Sequence, residues 1–133
     1  KTIVVELAPG QAIDVNGMTV TVAENTHFTF PSGSPAALLN KSYSYRFDLS
    51  DRSIVYTGDT GPSENVVELA KGADVLVSEM MDIPFIIENI KRSYEGNPSA
   101  PPMQVLEGVF QHLRDHHVTA EQVGEMASRA GVS

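Results

Sequence analysis

The sequence predicts an α/β fold, and three observations carry that reading. Tight-turn signals join short alternating strands in the first half, the apolar spacing changes to a helical period after Gly61, and Val75-Leu76-Val77 forms a continuous apolar run between two helical patterns. The 133 residues suit one domain of ordinary size, or part of a larger one, spanning 1–133.

The first half reads as strands, beginning with the short apolar run Thr2 to Leu7 that Pro9-Gly10 breaks. Ala12 to Val15, then Asn16-Gly17, then Met18 to Val22 reads as a hairpin closed by a type I′ turn, with Met18, Val20 and Val22 on one face. Pro31 to Pro35, rich in Ser and Gly, is a loop. Tyr43 to Leu49 alternates Tyr43, Tyr45, Phe47 and Leu49 against Ser44, Arg46 and Asp48, as in a half-buried strand, and Ser50-Asp51 turns it into Ser53 to Thr57.

Pro62-Ser63-Glu64 opens a helix with Val66, Val67, Leu69 and Ala70 inward, closed by Lys71-Gly72. The run Val75 to Val77 suits a strand covered on both faces. Ile83 to Tyr94 and Met103 to Arg114 read as helices separated by a Gly-Asn-Pro-Ser loop. Thr119 to Ala130 is the last helix, with Thr119 and Gln122 forming a capping box and Gly131 at the end.

Composition narrows the chemistry. Nine Lys and Arg against seventeen Asp and Glu give a net charge of -8, which disfavours nucleic acid on the average surface. With no cysteine, any metal relies on His, Asp or Glu. No stretch approaches the ~20 apolar residues of a membrane span and no signal sequence opens the chain, so it reads as soluble, with no membrane partner. Lack of cysteine fits a cytoplasmic protein, which is the expected compartment, with the periplasm as the alternative. The chain opens at Lys1 directly into an apolar run, as a piece of something longer does. No GxSxG, P-loop, GxGxxG or HExxH motif is present.

Four places remain as candidates. Asp59 lies between Gly58 and Gly61 at the end of an apolar strand and ahead of a helix, where α/β folds place ligands. A carboxylate there coordinates a metal, acts as a base, or merely shapes the turn. His27 follows the other hairpin and also sits at a strand terminus, where a solvated loop histidine is the plainer alternative. His112, His116 and His117 precede the last helix; the first two, four apart, share a helix face, His117 is placed to hold a proton for transfer, and an exposed His-rich helix end is the bland reading. Glu79 after the buried strand reads as a supporting group or a surface residue.

Ile54 to Ser63, through Tyr56-Thr57-Gly58-Asp59-Thr60-Gly61, and Val67 to Glu79 together resemble the central stretch of metallo-β-lactamase-fold hydrolases. His117-Val118-Thr119-Ala120-Glu121 is similar to the His-x-Thr-x-Glu helix of the arylsulfatase and RNase Z-like branches. The resemblance covers most of the chain, apart from the loops around Asn40 and Pro98.

It implies an αββα sandwich of which this chain supplies mainly the second ββα half, incomplete. It implies that Asp59 bridges two metal ions, that His27 ligates one, and that His117 assists proton transfer. Zinc is the implied metal, two ions per intact site, with Mn2+ or Fe2+ as alternatives. The family's His-x-His-x-Asp-His motif and its last metal histidine have no counterpart in this sequence, so the chain alone is expected to be inactive. The implied substrate is a small ester, lactone or phosphodiester. The implied partner is a missing N-terminal half or a second copy.

Two other readings stand beside this one. Asp59-Thr60-Gly61 after an apolar strand also matches a homodimeric aspartic protease, although such proteases are nearly all β. A folded remnant that binds a partner without catalysis is the other.

Overall fold

In a computed structural model that describes residues 3–132, five strands form one sheet in the order β1-β2-β3-β4-β5. β1 (Ala12–Val15), β2 (Met18–Glu24), β3 (Tyr43–Asp48) and β4 (Ser53–Tyr56) are antiparallel in succession, and β5 (Val75–Val77) runs parallel to β4. The change of direction follows from the connection, because α2 (Glu64–Leu69) crosses over between β4 and β5. The type I′ turn forms as its sequence requires, with positive φ at Asn16 (56°) and Gly17 (84°).

Ser63 caps α2 by accepting the Val66 N–H, and Val66, Val67 and Leu69 are buried beneath it. The last helix, α5 (Ala120–Ala130), forms the expected capping box between Thr119 and Gln122 and ends in left-handed Gly131. These two helices pack on one face of the sheet. Val55, Val66, Val118, Met126 and Ala130 form the main core there, each fully buried valine contributing about 2 kcal/mol. α3 (Ile83–Tyr94) and α4 (Met103–His116) build a second, smaller core around Ile83, Ile87, Leu106 and Phe110. Among the described residues no helix is long and apolar enough to cross a membrane.

Four expectations need correction. Ile3 to Leu7 is not a strand: the apolar run finds no partner strand and leaves Ile3 and Val4 exposed, while the expected first residue, Thr2, lies outside the described residues, as do Lys1 and Ser133. Pro35 does not end a loop but opens a short helix, α1 (Pro35–Leu39), capped by the Ser34 side chain. α4 continues two residues past Arg114, which carries His116 onto the helix. The strand β5 is covered on one face only, since Leu76 packs into the core while Val75 and Val77 are about 40% exposed, 42% and 39% respectively.

The same asymmetry runs across the sheet. In β3 the buried side chain is polar Ser44, whereas Tyr45 faces outward. Val20 and Phe47, Val22 and Tyr45, and Tyr45 and Tyr56 are direct cross-strand neighbours, so they share the face opposite α2 and α5 with Val75 and Val77. Tyr45, Tyr56, Val75 and Val77 remain 37–55% exposed there.

Candidate metal centre

The site gathers at the ends of β2, β4 and β5, where helix α4 also terminates. Buried Asn25, one residue past β2, donates from Nδ2 to the Thr57 carbonyl (3.0 Å) and to Ser44 Oγ (3.2 Å). Its Oδ1 accepts the His27 N–H at 3.1 Å. Ser44 Oγ donates to the same Thr57 carbonyl at 2.7 Å. One buried amide therefore ties the ends of two strands together and fixes the backbone from which His27 projects. Left without these partners it would cost roughly 1–3 kcal/mol.

Gly58 adopts φ +61° immediately before Asp59, turning the chain at the end of β4. The turn is held from beneath by Glu79, whose Oε1 accepts the Thr60 N–H at 2.7 Å. The same carboxylate lies 2.9 and 3.1 Å from His117 Nδ1. Both side chains are nearly buried, 12% and 9% exposed, so the pair is well shielded from solvent. An ionised carboxylate only accepts, so His117 Nδ1 donates to it and Nε2 is left for a ligand or a transferable proton.

His27 is fixed by the same logic. Its Nδ1 donates to the His116 carbonyl at 3.2 Å, which again leaves Nε2 for a ligand. Gly61 presses against the end of α4 so closely that a Cβ there would lie 2.1 Å from the Asp115 carbonyl oxygen. That contact seats the histidine-bearing helix end against the Asp59 turn.

The outcome is that one donor atom each from His27, Asp59 and His117 lies within 4.8 Å of the others. Two imidazoles and a carboxylate of this kind fit a borderline divalent metal such as zinc. Two of the three also have the partner expected on the far nitrogen of a ligating histidine.

His112 and His116 share a helix face as their spacing predicts, with Nδ1 atoms 2.7 Å apart. His116 Nε2 also lies 2.7 Å from Thr29 Oγ1. Burial, reinforced by the neighbouring His112, holds the His116 imidazole below its ordinary pKa, so it is neutral at neutral pH. Neither joins the three-residue group, but both rings lie within 6.4 Å of His27, centroid to centroid.

Sequence reasoning singled out His27, Asp59 and His117 and undervalued Glu79. It missed Asn25 and Ser44 altogether; the one available signal was an Asn directly after an amphipathic strand.

The profile of the family described as the beta-lactamase superfamily domain matches residues 1–133. The ribonuclease Z of Mycobacterium tuberculosis strain H37Rv is 26% identical over 127 residues, covering 96% of this chain and 37% of that protein. The ribonuclease Z of Mycobacterium avium strain 104 is 30% identical over 127 residues, 96% of this chain and 36% of its own length. The metallo-beta-lactamase fold protein YhfI of Bacillus subtilis superposes with a TM-score of 0.60 at 16% identity, covering 96% of this chain and 39% of that one. The chain spans from 24% to 46% of the length of the first curated relatives it matches. With its full length matched by the family profile and 96% of it aligned to a protein of that fold, the chain belongs to the beta-lactamase superfamily and has the metallo-β-lactamase fold.

Proposed function

We propose that this chain carries part of the active site of a metal-dependent hydrolase that uses an activated water on an ester-type bond. The observation that carries the proposal is the meeting of His27, Asp59 and His117 within 4.8 Å at the strand ends. A divalent ion bound there, zinc in this reading with Mn2+ or Fe2+ as substitutes, would supply Lewis acidity and lower the pKa of a bound water toward ~7. In this reading His27 Nε2 and the Asp59 carboxylate would hold the metal, Asp59 would serve a second ion as well, and further ligands would come from other residues of the intact protein. His117, when it carries a proton on Nε2 as well as the one that Nδ1 donates to Glu79, would pass the Nε2 proton to the leaving group, and Glu79 keeps the ring turned so that Nε2 faces the site.

Ester, lactone and phosphodiester bonds all suit this chemistry, and fold alone does not choose among them. Relatives named ribonuclease Z favour the phosphodiester. The net charge of -8 favours a small one over a long nucleic acid. The aspartic-protease reading loses its ground, because Asp59-Thr60-Gly61 leads into α2 rather than into further β structure.

His117→Ala in the full-length protein is expected to lower kcat on the order of 10²-fold or more while metal content stays unchanged. Metal loss would instead make His117 a ligand. An unchanged rate would sink its role.

The open sheet face bears on partners. Tyr45, Tyr56, Val75 and Val77 present an apolar surface that a soluble monomer tolerates poorly. We assign it to strand structure from outside residues 1–133, with a second copy as the substitute when the chain is alone. Sedimentation of the purified chain at micromolar concentration should therefore show association, and a monodisperse monomer would contradict the assignment.

A further inference from the structure

Immediately after His27 the chain exposes two aromatic rings that the fold does not use. Phe28 and Phe30 are 38% and 41% exposed, outside both cores. They are nonetheless ordered against one another, with centroids 5.8 Å apart and planes inclined by only 18°. The inner ring touches the candidate ligand itself, since Phe28 packs edge-on against His27 at 4.7 Å. Together they wall a cleft of about 350 Å³ whose other lining includes Leu38, Asn40, Lys41 and Glu24.

Each feature points to the same kind of occupant. A pair of phenyl rings buried in a core would stabilise the fold through its full apolar area. Held at the surface in near-parallel order, the pair offers a flat π face instead. Centroids 5.8 Å apart leave no room for a third ring between them, so a guest stacks on the open side. The cleft has a size suited to one ring system with a short substituent. Asn40 and the Lys41–Glu24 pair (2.7 Å) line its polar part, where ring-edge heteroatoms or a phosphate oxygen find partners.

We propose that Phe28 and Phe30 form the stacking platform of the substrate subsite, and that the substrate carries a planar aromatic ring on one side of its scissile phosphate ester. The assignment rests on the phosphodiesterase reading given above and adds the substrate's ring to it. Two sources share that chemistry, a nucleobase and a simple aryl group.

The test is a binding measurement that needs no turnover. Dissociation constants of phenyl phosphate, cyclohexyl phosphate and thymidine 5′-monophosphate are measured by NMR titration of the metal-loaded full-length protein. The same series is run on Phe28→Leu and Phe30→Leu, which keep apolar bulk but remove the flat face.

Phenyl phosphate is expected to bind on the order of 10-fold more tightly than its saturated counterpart, as stacking strengths imply. Either leucine variant should shrink that ratio toward unity. Thymidine monophosphate binding more tightly than phenyl phosphate identifies a nucleobase, and weaker binding identifies an aryl ester. Equal affinity for the phenyl and cyclohexyl compounds in the wild type, or a preference that survives both substitutions, overturns the platform. Loss of the hydrolase reading shows separately, as absence of turnover while the ring preference persists.

Discussion

Asp59→Asn in the full-length protein is expected to abolish hydrolysis of bis(p-nitrophenyl) phosphate while leaving the fold intact. The substitution keeps size and the turn set by Gly58, whose φ of +61° does not depend on the carboxylate. It removes the charge that lets one side chain serve a divalent ion, and an amide is a poor replacement at a site built of His and carboxylate donors. The loss should exceed the roughly 10- to 100-fold typical of a supporting partner, and His27→Ala should match it. A variant with wild-type rate, compared by steady-state kinetics and circular dichroism, would remove Asp59 from the mechanism.

Gly61→Ala is the second large expectation, and it acts through backbone rather than through chemistry. The added methyl would lie 2.1 Å from the Asp115 carbonyl oxygen and 3.1 Å from its carbon. Neither is the end of a flexible side chain, so the C-terminal turn of α4 has to move. That turn carries His116, whose carbonyl orients His27, and leads directly to His117. Overpacking of this kind costs roughly 2–3 kcal/mol. For a domain of this size the melting temperature should fall by about 8–12 °C, and activity should fall with it at temperatures where the variant is still folded. Thermal unfolding checks the first part; an unchanged melting temperature would mean that the α4 end is not seated as described.

Much of the fold was legible because its elements carry local punctuation. Asn16-Gly17 forced the first hairpin, Ser63 and the Thr119–Gln122 box marked two helix starts, and Gly131 marked an end. Where local signals compete with distant ones, the reading slipped. Alternation in Tyr43 to Leu49 located the strand but not its buried side, since Ser44 is buried by hydrogen bonds to Thr57 and Asn25, 13 and 19 residues away. Ser34-Pro35 is a proper helix start, yet five residues of helix leave little periodicity to see.

The site divides in the same way. Asp59 was visible because glycines frame it at a strand end. Glu79 was undervalued because its meaning lies in His117, 38 residues later and across the α3–α4 hairpin. His27 gained weight only when resemblance supplied its companion, and the physical tie between them runs through buried Asn25 and Thr57, which no spacing rule announces.

In the proposed mechanism His27 and Asp59 hold a divalent metal in the working protein. Metal content of the full-length protein, measured by inductively coupled plasma mass spectrometry on the wild type, His27→Ala and Asp59→Asn after identical purification, tests it most directly. Bound metal, zinc foremost, is expected in the wild type, with a marked deficit in each variant. Wild-type protein that turns over substrate without metal, or variants that retain the full complement, would contradict it.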